Sequence, residues 1–196
     1  ISVSHDGAGL VLTGQSTDSI EVVGSVGVTV LGEAGNDALT GGDGNDTIDG
    51  GFGSDVLDGA EGDDTLLGQD GDDTLIGGIG SDTIDGGDGA DVAVFAGYQS
   101  DYTFASSADG LTVTVTDRST GDADTVTNVE TLSFDDGDIA VSHDGTGLVL
   151  TGQSTDSIEV VGSVGVTVLG QEGNDTLTGG DGNDTIDGGD GSDTLT

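Results

Sequence analysis

From Gly32 the chain reads GEAGNDALT (32–40), GGDGNDTID (41–49), GGFGSDVLD (50–58), GAEGDDTLL (59–67), GQDGDDTLI (68–76), GGIGSDTID (77–85) and GGDGADVAV (86–94). Every unit has Gly at its first and fourth positions and Asp at its sixth: Asp37, Asp46, Asp55, Asp64, Asp73, Asp82 and Asp91. The eighth position is aliphatic in six units and Ala93 in the seventh. Three more units, GQEGNDTLT, GGDGNDTID and GGDGSDTLT, run from Gly170 to Thr196 and add Asp175, Asp184 and Asp193.

Glycine at the first, fourth and usually second position opens backbone angles closed to other residues. Six residues can then curl tightly with their carbonyl oxygens turned inward. The remaining three make a short strand with one side chain facing in and its neighbours facing out. Two nonapeptides complete one coil of about eighteen residues, and strands of successive coils lie about 4.8 Å apart. Loops n and n+2 therefore stack on the same edge. Asp37, Asp55, Asp73 and Asp91 fall along one edge, and Asp46, Asp64 and Asp82 along the other.

A ladder of carboxylates at that spacing repels itself unless a cation sits between rungs. Carboxylates and backbone carbonyls are hard oxygen donors, suited to calcium with six to eight ligands and less to the rigid octahedron of magnesium. Softer metals have little to hold in a chain with no Cys and two His. Seven loops leave three gaps on one edge and two on the other, so about five sites are expected there and about one in the second block.

The frame resembles GGxGxDxUx, the calcium-binding repeat of RTX proteins, a family of bacterial proteins exported by the type I route. The resemblance implies an all-β chain whose nonapeptide blocks form calcium-bound parallel β-rolls, alternating with a small aromatic-rich β unit. It also implies a secreted or cell-surface location. In that family the sixth-position Asp and the loop carbonyls hold calcium. By resemblance the metal ligands are then the ten Asp named above. The carbonyl ligands are those of Gly41, Gly42, Gly44, Gly50, Gly51, Gly53, Gly59, Gly62, Gly68, Gly71, Gly77, Gly78, Gly80, Gly86, Gly87 and Gly89. At the second position Glu33, Ala60, Gln69 and Gln171 replace glycine, which keeps the carbonyl but tightens the loop.

A larger period encloses the small one. Residues 139–196 repeat 1–58 at an offset of 138, differing only at positions 2, 8, 33, 34, 38, 52, 56 and 58 of the first copy. Five segments follow: a β lead-in at 1–31, the seven-unit roll at 32–94, a capping or linker unit at 95–138, a second lead-in at 139–169 and the start of a second roll at 170–196. Five of the six aromatics and the one basic residue, Arg118, lie in 95–138. Leu111–Val115 alternates as a half-buried strand, with turns at 107–110 and 117–121 and an apolar stripe of Val126, Val129, Leu132 and Phe134. Capping the roll is the main reading of this segment; a ligand patch around Tyr98 and Tyr102 is the other. The lead-ins read as irregular first coils, with His5 and His143 as surface or turn residues.

Composition sets the boundaries of function. Asp plus Glu number 39 against one Lys or Arg, a formal charge of −38, which repels nucleic acid and anionic membrane surfaces. No apolar run is long enough to span a bilayer. So acidic a chain falls on the disordered side of the charge–hydrophobicity balance in plain water, although a disordered linker would not keep an aliphatic residue at every ninth place. The chain holds no methionine and opens on no signal-peptide pattern, so a segment of a longer tandem array is expected. There is no HExxH, no GxSxG and no lysine, so no enzyme is expected in this segment, though RTX regions often trail one. The reading is a structural repeat module that folds on export into an acidic fibre, surface layer or adhesin stalk. Its partners are about six calcium ions and further copies of the same repeat. Two alternatives stand beside it: an adhesive, ligand-binding module, or the non-catalytic end of an RTX enzyme.

Overall fold

The computed structural model describes residues 2–5, 10–144 and 147–196; of 2–5, including His5, only the backbone is described. The strands are β1 (Ser2–His5), β2 (Leu10–Thr13), β3 (Ser19–Glu21), β4 (Val28–Leu31), β5 (Ala38–Gly42), β6 (Thr47–Phe52), β7 (Val56–Glu61) and β8 (Thr65–Asp70). After them come β9 (Thr74–Ile79), β10 (Thr83–Asp88), β11 (Val92–Val94), β12 (Tyr102–Ser106), β13 (Thr112–Asp117), β14 (Ala123–Thr127), β15 (Thr131–Phe134) and β16 (Gly137–His143). The last are β17 (Leu148–Thr151), β18 (Ser157–Glu159), β19 (Thr167–Leu169), β20 (Glu172–Gly173), β21 (Thr176–Thr178), β22 (Thr185–Asp187), β23 (Asp190–Gly191) and β24 (Thr194–Leu195). No helix among the described residues is long and apolar enough to cross a membrane.

The contacts divide the chain into two units, residues 1–94 with 124–129, and residues 95–123 with 130–196. In the first, β2, β4, β6, β8 and β10 pair in parallel on one face, and β3, β5, β7, β9 and β11 on the other. Thr47 pairs with Thr65 and Thr65 with Thr83, each eighteen residues on. The eighteen-residue coil expected from two nonapeptides is therefore what forms. The lead-in is less regular: Ser19 pairs with Ala38, a step of nineteen.

Each strand sends its eighth-position side chain inward, so the core is two columns of stacked aliphatics. Val30, Ile48, Leu66, Ile84 and Val126 form one, and Ile20, Leu39, Leu57, Leu75 and Ala93 the other, all buried. A buried Leu or Ile contributes roughly 1.5–3 kcal/mol, but two columns one residue wide make a thin core. Its turns must be held by something else.

The tight fourth position shows why glycine recurs. Gly71 sits at φ +143°, and a Cβ there would overlap the carbonyl of Gly53 one coil back. The four non-glycine second positions pay in strain: Glu33, Ala60, Gln69 and Gln171 hold φ between 72° and 78°, a left-handed conformation costing about 1–2 kcal/mol outside glycine.

One strand from outside the nonapeptides joins the first unit. β14 pairs in parallel with β10, placing Thr125 against Thr83 and Val126 against Ile84.

In the second unit, β12 and β13 form an antiparallel hairpin, and β15, β16 and β17 an antiparallel meander. β17, β19 and β22 then restart parallel winding, as do β18, β21 and β24. Val113 and Val115 face in while Thr112 and Thr114 are half-exposed, as the alternation expected. Turns close at Ser107–Gly110 and Asp117–Gly121. Phe95, Tyr102, Phe104 and Phe134 form an aromatic cluster with ring centroids 5.3–6.0 Å apart. Tyr102 is buried with its hydroxyl donating to the Ala96 carbonyl at 2.6 Å, whereas Tyr98 is exposed. The two tyrosines therefore form no common surface patch. His143 is exposed.

Candidate metal centre

Stacking coils eighteen residues apart brings the sixth-position carboxylates into register. Along one edge the backbone N–H of Asp37 donates to Oδ1 of Asp55 (2.8 Å), Asp55 to Asp73 (2.7 Å) and Asp73 to Asp91 (2.8 Å). Along the other, Asp46 donates to Asp64 (2.7 Å) and Asp64 to Asp82 (2.8 Å). In the second unit Asp175 donates to Asp193 (3.2 Å), and the Val166 N–H to Asp184 (3.0 Å). The two rows are those the nine-residue frame implied.

One oxygen of each carboxylate is thus used, and the other is not. Oδ2 of Asp37, Asp46, Asp55, Asp64, Asp73 and Asp175 is buried without a hydrogen-bond partner. Isolated buried carboxylate oxygens are expensive, and these six among the described residues call for a counter-charge. Four of these oxygens, those of Asp37, Asp64, Asp73 and Asp175, lie beside a glycine carbonyl of the next coil. The Oδ2 of Asp64 and the carbonyl of Gly77 both lie against Gly59, those of Asp73 and Gly86 against Gly68, and those of Asp175 and Gly188 against Gly170. The fourth-position carbonyls stack as well, Gly44 against Gly62 and Gly62 against Gly80. Second-position Gly42, Gly51, Gly78 and Gly87 lie in the strand ladder.

Among the described residues no three acidic, His or Cys side chains converge as a ready cage. An ion between coils must therefore draw on main-chain oxygens, a donor set suited to calcium. Burial also disfavours the ionised form of these carboxylates. Burial pushes the Asp64 and Asp73 carboxyls up to about 6, with the neighbouring carboxylates of the ladder adding to the shift. Burial raises Asp46 and Asp55 also.

Residues 29–57, 58–93 and 167–195 match the family described as RTX calcium-binding nonapeptide repeat, in four copies. This chain carries RTX calcium-binding nonapeptide repeats. Repeats of this family bind calcium, and the buried Oδ2–carbonyl pairs fit it. Among solved structures the chain is similar to the extracellular lipase LipA from Serratia marcescens, at 24% identity and a TM-score of 0.37. The match covers 88% of this chain and 28% of that one. No match was found among curated proteins.

Three rungs of this RTX ladder lie outside the nonapeptides. Asp82 donates its N–H to Oδ1 of Asp124 (2.8 Å), as Asp64 does to Asp82. Asn128 places its carbonyl against Gly86, where a first-position glycine of a further coil would stand. Asp18 and Asp156 head the ladders of the two lead-ins, donating to Asp37 (2.6 Å) and Asp175 (2.9 Å). Their signal is the bare tail of the motif, D-x-U-x: Asp18-Ser-Ile-Glu, Asp124-Thr-Val-Thr and Asp156-Ser-Ile-Glu.

The two lead-in aspartates differ in surroundings. Asp156 is buried, and burial raises its pKa. The amide Nε2 of fully buried Gln99 donates to its Oδ1 at 3.0 Å, and the Ser154 N–H to its Oδ2 at 3.1 Å. Gln99 Oε1 accepts from the Ser157 N–H at 3.0 Å. At this first rung an amide side chain satisfies the carboxylate.

Proposed function

We propose that the chain is a calcium-folded structural repeat module of an exported bacterial protein, built to serve as a stiff acidic element such as a fibre, surface layer or adhesin stalk. The observation that carries the reading is the row of buried Oδ2 atoms without partners, those of Asp37, Asp64, Asp73 and Asp175 each beside a carbonyl of the next coil. Calcium held by the sixth-position Asp, from Asp37 to Asp91 and at Asp175, Asp184 and Asp193, cross-links coil to coil where the aliphatic columns are thin. First-position carbonyls such as those of Gly50, Gly77 and Gly86 complete the shells. About six ions would offset roughly twelve of the chain's negative charges, leaving an anionic, soluble surface.

Because these sites do not exist in the open chain, calcium affinity and folding are one free energy. Extracellular calcium modules work at about 10⁻⁴–10⁻³ M. The chain would stay unfolded in a low-calcium cytosol and fold outside the cell. Segment 95–138 fits a capping role, since β14 supplies one further strand and one further carboxylate, Asp124, to the first unit.

The test is a calcium titration followed by far-UV circular dichroism, with magnesium as control. A cooperative coil-to-β transition near millimolar calcium, absent with magnesium, is expected. A β spectrum that persists in chelator would overturn the reading.

A further inference from the structure

The lead-ins 10–31 and 148–169 have the same sequence but different surroundings. In the second unit, the lead-in is covered on both sheet edges by the aromatic-rich segment. β15 pairs with β16, matching Thr131 to Ala140 and Leu132 to Ile139. On the other edge Phe104 bridges Val160, and its carbonyl accepts the Val161 N–H at 2.7 Å. Polar contacts lock the fit: Gln99 to Asp156 and Ser157, and Arg118 Nη2 to Glu159 Oε2 at 2.7 Å.

Among the described residues the equivalent positions of the first unit carry no such cover. β1 and β3 are sheet edges. Asp18 and Val22 are half-exposed where Asp156 and Val160 are buried; Glu21 is exposed, and Val23 is 88% exposed against 40% for Val161. Leu10, Val11 and Leu12 are half-exposed where Leu148, Val149 and Leu150 are buried. Two open strand edges with a half-exposed carboxylate and valines between them are a template for strand addition.

We infer that this open face of the first lead-in is a docking surface for a second copy of segment 95–138. The chain itself supplies the template, since the same residues in the second unit hold that segment through named contacts. The docked copy sets its Gln99 on Asp18 and Ser19, its Arg118 on Glu21, its Phe104 on Val22 and Val23, and its β15 on β1. Successive repeats of an array thereby interlock, each aromatic segment starting the roll that follows it.

The experiment extends the 196-residue chain at Ile1 with an added copy of residues 95–138 and reads amide hydrogen exchange by NMR in millimolar calcium. Ser19 and Val23 amides are expected to exchange about tenfold or more slowly than in the unextended chain, approaching Ser157 and Val161 of the same molecule. Gln99→Ala in the added copy alone should speed Ser19 again and leave Ser157 unchanged. Unaltered exchange at Ser19 and Val23 on extension would overturn the assignment. So would fast exchange at Ser157 and Val161, which removes the template. Protection that appears only on concentrating the unextended chain would give the face to pairing between lead-ins and overturn it too.

Discussion

The backbone N–H of Asp64 donates to Oδ1 of Asp82, eighteen residues on and 2.8 Å away, while Oδ2 of Asp64 faces the Gly77 carbonyl with no donor of its own. The Asp64 carboxylate has one oxygen engaged and one open: Oδ1 accepts the Asp46 N–H at 2.7 Å, and Oδ2 is the oxygen proposed to meet a cation. Asp64→Ala removes both oxygens, stripping the acceptor from the Asp46 N–H, while the residue-64 N–H still donates to Asp82. Asp64→Asn keeps the acceptor and loses the charge. The calcium midpoint of folding should rise about tenfold or more for Asp64→Ala and less for Asp64→Asn. Exposed Asp63→Asn should leave it nearly unchanged. Circular dichroism at stepped calcium checks this; equal midpoints for all three would remove Asp64 from the ligand set.

Protons are the second probe of the ladder. Without metal, Asp64 and Asp73 hold folded-state values of about 6, above the ordinary 3.8, because burial disfavours the charged form. The folded chain then binds more protons than the unfolded one between about 4 and 6. Stability gained from these groups grows as pH falls through that window and is lost as pH rises through 6. In chelator, the β signal should therefore increase from pH 7 to pH 5. In calcium the trend reverses, because protons compete for the same oxygens. Ellipticity against pH in the two media distinguishes the cases; no gain of β signal on acidification in chelator would contradict the burial account.

Much of this was legible in the sequence, and the exceptions share a cause. The glycine frame of 32–94 forces the coil, the eighteen-residue step and the two Asp rows, since each follows from φ freedom and strand spacing. Asp18, Asp124 and Asp156 were not legible, because no G-G-x-G precedes them and their place depends on tertiary pairing. Asp124 in particular follows Asp82 by 42 residues, not eighteen, and joins the ladder only through β14 against β10. The difference between Asp18 and Asp156 was invisible too. It arises from Gln99, 57 residues before Asp156.

Strain at the second position offers a stabilising change. Ala60 holds φ 77° and occupies the place of Gly42, Gly51 and Gly78. Ala60→Gly relieves the left-handed cost but adds freedom to the unfolded chain, a net gain of about 0.5–1 kcal/mol. The folding midpoint should move to lower calcium, which the same titration reads. A shift to higher calcium would show that the loop is relaxed with alanine.

Gln99 tests the first rung of the second lead-in. Gln99→Ala leaves the buried Asp156 carboxylate short of a donor and the Ser157 N–H short of an acceptor, a loss of about 1–3 kcal/mol. Amides of the second lead-in should exchange faster while those of 47–88 stay unchanged. Uniform loss across both regions would mean that Gln99 acts on the whole fold and not on this rung.

The central claim is that calcium occupies the gaps between stacked sixth-position aspartates. Anomalous diffraction from calcium-grown crystals locates the ions directly. The account predicts density peaks in two rows, between Asp46, Asp64 and Asp82 and between Asp37, Asp55, Asp73 and Asp91, each within bonding distance of an Oδ2 and a glycine carbonyl. Peaks confined to surface acids such as Asp43, Asp70 and Asp88, with the gaps empty, would contradict it.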